Sequence, residues 1–149
     1  YKKLFGEEYY VQEIFDSTEL IANLDRNAVA VDHSVYDYIL YDSTTIEKPF
    51  ALALDNDPDV KMFFKLPGRF KVDTPIGTYN PDWAVYVETE GMKKLYFVLE
   101  TKGSMSLSDL RESEKMKIYC GKAHFKEIDT GVELCGPIKD WNSFKIKNI

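Results

Sequence analysis

The stretch that decides the fold is PDWAVYVETEGMKKLYFVLETKG, residues 81–103. It holds two runs rich in β-forming residues, Trp83 to Glu88 and Leu95 to Thr101, around Glu90-Gly91-Met92. Such a pattern predicts two antiparallel strands joined by a tight turn. A three-residue loop over 90–92, with Gly91 at its centre, sets a register. Tyr86 then faces Tyr96, Glu88 faces Lys94 and Asp82 faces Glu100. One side of the hairpin carries Trp83, Val85, Val87, Leu95, Phe97 and Leu99, all apolar. The other carries Asp82, Ala84, Tyr86, Glu88, Lys94, Tyr96, Val98 and Glu100. A slip of one residue mixes the two sides, so the pattern argues for this register.

The chemical expectation follows from it. Opposed Asp82 and Glu100 have Cα atoms roughly 4.5–5.5 Å apart, and Lys102, two residues past Glu100, projects from the same side. Carboxylates that close repel unless a proton or cation lies between them. A hard divalent cation such as Mg²⁺ suits oxygen ligands, completed by water and a substrate phosphate. Such a site can hydrolyse a phosphodiester, because the metal polarises the phosphoryl oxygen and lowers the pKa of bound water. Lys102 can orient or deprotonate that water, or stabilise charge in the transition state. A solvated sheet face with a surface ion pair has the same residue types. Three features tilt the reading toward a site: Pro81 beside Asp82, the placement of Glu100-Thr101-Lys102 at the end of an apolar strand, and Gly103 at its exit.

Working outward, Val60 to Leu66 and Phe70 to Thr74 read as strands around Pro67-Gly68, and Pro75-Ile76-Gly77-Thr78 as a turn. A helix is expected from Ser43-Thr44-Thr45, with Thr44-x-x-Glu47 as a capping box. Pro49 falls near its start, where a missing N–H does least damage, and Asn56-Asp57-Pro58 ends it. A long helix is expected from Ser108 to Lys126, and a short closing strand over Val132 to Cys135. Before these, Tyr9 to Phe15 and Val35 to Tyr41 read as strands and Glu19 to Leu24 as a short helix. The expected architecture is α/β: a mixed central sheet flanked by helices, ordered helix, three-stranded antiparallel meander, helix, strand. One domain over 1–149 is expected, with an N-terminal extension (1–42), a core (43–135) and a C-terminal tail (136–149).

The 149 residues can bury a sizeable core. Hydrophobic residues at 44% and charged residues at 30% are ordinary globular composition, which argues against a disordered chain. Cys120 and Cys135 are too few for a disulfide framework, which points to a reduced, cytoplasmic protein. No apolar run of about 18 residues is present, so no membrane span is expected. The first residue is Tyr1 rather than Met, as in a fragment of a longer chain. The net charge of -6 argues against a domain that grips nucleic acid by itself, since phosphate binding needs clustered Lys and Arg.

Pro81-Asp82 with Glu100-x-Lys102 resembles the PD-(D/E)xK nuclease motif. Longer words sharpen the likeness: Phe70-Lys71-Val72, Thr74-Pro75-Ile76-Gly77, Tyr79-Asn80-Pro81-Asp82-Trp83-Ala84 and Tyr96 through Gly103. Further words flank them: Tyr41-Asp42-Ser43 through Glu47, Leu54-Asp55-Asn56, Val60-Lys61, Lys65-Leu66-Pro67, Leu110-Arg111, Glu114, Lys117-Ile118, Cys120 and His124-Phe125. Over residues 35–128 the chain resembles the C-terminal endonuclease domain of the restriction (Res) subunit of type III restriction enzymes. The resemblance implies a restriction-endonuclease-like fold, Mg²⁺ or Mn²⁺ as cofactor, and double-stranded DNA as substrate. It implies Asp82, Glu100 and the Thr101 carbonyl as metal ligands and Lys102 as catalytic, with Glu47 a further candidate near the metal. Glu47 is also half of the expected capping box. Type III Res subunits carry an ATP-driven motor and work with a modification (methyltransferase) subunit. This chain has no G-x-x-x-x-G-K-[ST] loop, so ATP belongs to a motor outside it. Alternatives are another PD-(D/E)xK nuclease of repair or mobile elements, or a retired nuclease fold that serves as a docking module. The intact Asp82, Glu100 and Lys102 argue against the last.

Other residues read as structural. Cys120 and His124, at i and i+4, lack the partners of a zinc site and read as packing. His33 has no partner in sequence, and Cys135 reads as core. Glu114 and Lys115 fit a solvated helix face, while Lys117 could meet Glu114 or point toward the site. Lys61, Lys65, Arg69, Lys71, Lys93 and Lys94 are candidate phosphate contacts. The Tyr86–Tyr96 pair reads as cross-strand packing.

Overall fold

A computed structural model describes residues 27–74, 76–100, 112–128 and 131–149, with the side chains of Glu100, Ser113, Glu114 and Ile128 outside the description. The expected Tyr9–Phe15 strand, the Glu19–Leu24 helix and the Ser108 helix start lie outside the described residues. Four strands form the central sheet: β3 (Val60–Lys65), β6 (Trp83–Thr89), β7 (Met92–Glu100) and β8 (Val132–Ile138). Their order is β3-β6-β7-β8. The first three run antiparallel in sequence, and β8 joins β7 in parallel. Two small hairpins flank this sheet, β1 (Ala28–Ala30) with β2 (Tyr38–Leu40), and β4 (Val72–Thr74) with β5 (Gly77–Tyr79). Three helices complete the description: α1 (Glu47–Asp55), α2 (Glu112–Ile128) and α3 (Trp141–Asn148). This is the mixed α/β architecture expected, with helices on both faces of the sheet.

The hairpin register is a correction. Trp83 pairs with Val98, Val85 with Tyr96, Val87 with Lys94 and Thr89 with Met92. The loop is therefore Glu90-Gly91 alone, with Gly91 at φ +88°, a conformation that costs glycine little. Every pair is one residue off the three-residue-loop register. Asp82 is not opposed to Glu100, and Tyr86 lies beside Leu95 rather than Tyr96.

The physical reason lies in what covers the sheet. Trp83, Val85, Val87, Tyr96 and Val98 share a core with Phe50, Ala51 and Leu54 of α1 and Trp141 of α3. The Phe50 and Trp83 rings sit 5.3 Å apart. On the opposite face, Phe97 and Leu99 pack with Ile118 and Phe125 of α2 and with Val72 and Tyr79 of the β4–β5 hairpin. Both faces are dry, so apolar-in, polar-out alternation does not hold, and the mixed pattern of this register is what two-sided burial requires.

The helix start is also redrawn. α1 begins at Glu47, and no Thr44 capping box forms. Ser43 Oγ instead accepts from the Ile46 N–H at 3.1 Å, while Glu47 Oε2 accepts from the N–H groups of Asp42 (2.6 Å) and Ser43 (3.3 Å). The reciprocal exchange of a capping box is thus made by Ser43 across one extra residue.

Segments outside the expected core contribute to it. Val31 and Ile39 belong to the α1-side core. In the expected tail, Trp141 is fully buried. Its indole N–H donates to Asp57 Oδ2 at 2.7 Å, and Lys145 reaches Asp57 at 2.5 Å and Asp59 at 2.6 Å. Asp140 caps α3 by accepting from the Ser143 N–H at 2.8 Å. No helix among the described residues is long and apolar enough to cross a membrane.

Candidate active site

The N-terminal end of β6 and the C-terminal end of β7 lie at one end of the sheet. The C-terminal ends of β3 and β8 lie there too, since Lys65 pairs with Trp83, Val98 with Cys135 and Glu100 with Ile138. Asp82 sits just outside β6 and is held by its backbone. Its N–H donates to Val98 O at 2.9 Å, and its carbonyl accepts from the Leu66 N–H at 2.7 Å. Pro81 before it is fully buried. Two neighbouring strands therefore fix the position of Asp82, whose side chain is half-buried.

Glu100 ends β7 at the same end, one position beyond the residue abreast of Asp82. Sheet register alone therefore does not aim the two carboxylates to one side. Here, however, alternation is interrupted: the β7–β8 pairing slips between Val98 and Glu100, with Gly136 and Pro137 in the slipped stretch of β8. Proline has no N–H for the ladder and occurs in sheets at such irregularities, which re-aim side chains next to active sites. Thr101 and Lys102 lie outside the described residues.

Beneath Asp82, the Tyr79 hydroxyl donates to Cys135 O at 2.8 Å in a buried contact. It ties the β4–β5 hairpin to β8. Burial raises the Tyr79 pKa well above its ordinary value, and the nearby Cys135 and Asp82 add to the rise. Tyr79 stays protonated and keeps donating. Sequence reasoning gave Tyr79 no role, although it stands three residues before Asp82 in the same word.

Glu47 lies on the α1 side of the same end. Besides the two N–H groups it caps, its Oε2 is 2.9 Å from Lys65 Nζ, which also reaches Asp42 at 3.3 Å. Lys65 neighbours Leu66, the donor to the Asp82 carbonyl. Glu47 thus braces the strand end against which Asp82 rests.

The other candidate cations separate into two groups. Lys61 donates to Pro58 O at 2.7 Å, Lys93 pairs with Glu88 at 2.9 Å and Lys94 with Glu133 at 2.7 Å. Arg69 and Lys71 are exposed beside the β4–β5 hairpin, and Lys117 lies half-buried against it. The Cys135 thiol is buried. Among the described residues no group of three His, Cys, Asp or Glu is arranged to hold a metal. The donors brought to this strand end, Asp82 and Glu100, are carboxylates, and an all-oxygen set suits Mg²⁺ rather than a softer metal.

The endonuclease domain family matches residues 32–140. The Res subunit of the type III restriction-modification enzyme EcoPI, from Escherichia phage P1, is 30% identical over 122 residues, covering 79% of this chain and 12% of that protein. The Res subunit of the type III restriction-modification enzyme EcoP15I, from Escherichia coli, has the same identity and coverage. The chain spans about an eighth of the length of these curated relatives. No solved structure matches it.

Proposed function

Because the chain belongs to the endonuclease domain family, we propose that it is the cutting module of a type III restriction enzyme and hydrolyses phosphodiester bonds of double-stranded DNA with Mg²⁺. The observation that carries this reading is the meeting of Asp82 and Glu100 at one end of adjacent antiparallel strands, with the Asp82 backbone clasped between β3 and β7.

In this reading Asp82, Glu100 and the Thr101 carbonyl hold the metal. When bound, Mg²⁺ supplies a Lewis acid for the phosphoryl oxygen and a lowered pKa for attacking water. Lys102 donates to a non-bridging oxygen of the attacked phosphate, where negative charge grows, and orients the water beside it. The bonds of the Asp82 backbone to Val98 and Leu66 hold the residue that carries the carboxylate in place, and the Tyr79 tie to Cys135 fixes the neighbouring hairpin against β8. Glu47 is a positioning residue that acts through Lys65 and the loop at Asp42-Ser43.

Delivery to DNA belongs to the longer protein. A net charge of -6 gives this chain little long-range attraction for a polyanion. An ATP-driven motor and a modification subunit would bring DNA to the site. The test is linearisation of a plasmid by the full-length protein with Mg²⁺ and ATP. Asp82→Asn should abolish cutting. Wild-type cutting by that variant would refute the assignment.

A further inference from the structure

We propose that Lys117 is a phosphate contact for the DNA strand being cut, held in place by the β4–β5 hairpin. The inference rests on the nuclease reading above.

The first observation is where α2 starts. Its Ile118 lies against Gly136, near the site end of β8, and its Gly121 lies against Leu134, farther back along that strand. The helix therefore begins at the site end and runs away from it. Lys117 lies toward the N-terminal end of its described part. Helical side chains lean toward the helix N-terminus, which here is toward the strand ends that carry Asp82 and Glu100.

The second observation is how Lys117 is held. Gly77 opens β5, and a Cβ placed on it would lie 3.1 Å from Lys117 Cε and 3.4 Å from its Nζ. The lysine stem crosses the bare backbone of Gly77 in space that any other residue would fill. Gly77 stands at φ +132°, where side chains are strained as well. Thr74 Oγ1 donates to the Gly77 carbonyl, which closes the hairpin beneath the lysine. An ordinary surface lysine samples many rotamers, but this one is half-buried with its stem lying against Gly77.

The third observation is its charge environment. Lys65, Lys93, Lys94, Lys115 and Lys145 each lie within ion-pair distance of a carboxylate. Lys117 forms no ion pair among the described residues, and the described charges on the hairpin and its approach are the exposed Arg69, Lys71 and Asp73. In a chain of net charge -6, Lys117, Arg69 and Lys71 outnumber Asp73 here, a local excess of positive charge among the described residues. A lysine held along its stem, with no carboxylate partner among the described residues, can be completed by an external anion, and a DNA backbone oxygen beside the Asp82 end is such an anion. The contact is independent of base sequence, as phosphate contacts are.

The test uses the full-length protein and a supercoiled plasmid, in single-turnover cutting between about 50 and 200 mM salt. Lys117→Met keeps the stem over Gly77 and removes the charge. It should cut on the order of tenfold more slowly near the lower salt limit under sub-saturating protein, with a plot of log rate against log salt shallower than wild type by about one unit. Lys117→Arg should restore both. Asp82→Asn is run alongside. If Asp82→Asn still cuts, the nuclease reading itself falls. If it is inert while Lys117→Met matches wild type in rate and salt slope, only the Lys117 contact falls. Equal impairment of Lys117→Met and Lys117→Arg would also overturn it, because charge would then not be what matters. If Lys117→Met lowers the melting temperature, Lys117→Gln removes the same charge for the same comparison.

Discussion

Asp57 to Ala is the substitution whose cost the structure defines most closely. Asp57 is the buried charged residue of the described core, at 6% exposure. Its carboxylate accepts from the Trp141 indole N–H at 2.7 Å, Lys145 Nζ at 2.5 Å and the Asp59 N–H at 3.0 Å. Removing it strands the Trp141 N–H in a fully buried place, which costs about 1–3 kcal/mol. Lys145 keeps Asp59 at 2.6 Å, so the loss there is one charge-assisted bond on a partly exposed side chain, about 1 kcal/mol. The half-exposed Asp59 N–H can turn to water. The total is about 2–4 kcal/mol, or a melting temperature lower by on the order of 10 °C for a domain of this size. Urea unfolding followed by tryptophan fluorescence reads it. In a Trp141→Phe background the same substitution should cost about 1–2 kcal/mol less, because no indole donor is left stranded. Burial pushes the Asp57 pKa up, but the bonds from Lys145, Trp141 and Asp59 outweigh it and hold it below the ordinary carboxylate value. A depressed folded-state pKa means that the stabilisation is complete above the unfolded pKa, about 4, and is lost as pH falls through the folded value. Wild type should therefore lose stability below about pH 4 more steeply than Asp57→Ala. A variant within 0.5 kcal/mol of wild type, a margin typical of ordinary surface substitutions, would refute the reasoning.

Three further outcomes are expected. Lys102→Ala in the full-length protein should cut at least about a hundredfold more slowly while ATP hydrolysis and DNA binding persist, and wild-type linearisation would remove Lys102 from the mechanism. Glu47→Gln keeps an oxygen for the Asp42 and Ser43 N–H groups and should lose about 1 kcal/mol, against about 2 for Glu47→Ala. If both abolish cutting equally while folded, Glu47 acts by its charge at the metal and not as a brace. Burial, opposed by Lys122 and Lys94, pushes the Cys135 thiol up to about 12, so in native protein at pH 8 only Cys120 should react with a disulfide reagent. Comparable native rates at both thiols would contradict the packing around Cys135.

The strands that carry the site were legible because Trp83 to Glu88 and Leu95 to Thr101 are dense in β-branched and aromatic residues. Their register was not. The alternation in the sequence implies one wet face, whereas Trp83 and Tyr96 sit under α1 and α3, and Phe97 and Leu99 under α2. With both faces apolar, only turn length separates the two registers, and a Gly91 turn of two or three residues looks alike in sequence. The α3 helix was missed because Trp141 to Asn148 is short and weakly amphipathic, although Asp140 before it and the Ser143 N–H it accepts from are an ordinary N-cap pattern. Asp82 was located by its strand and by its resemblance. The tie from Tyr79 to Cys135 spans 56 residues, and no local pattern can announce a contact that distant.

The parallel seating of β8 governs the order in which the molecule can assemble. β3, β6 and β7 form an antiparallel set with short sequence separations, so their loops close early and cheaply. β8 meets β7 only after a crossover through α2, and Trp141 must then travel back to Asp57, 84 residues away. Contacts of such long separation form slowly. The nascent meander would therefore present Asp82 before Tyr79 has Cys135 to hold, and before the second dry face has its cover. A chain caught at that stage has Asp82 clasped between β3 and β7 but lacks the Tyr79–Cys135 tie and the cover of α2, so cutting competence should be among the last properties acquired during folding.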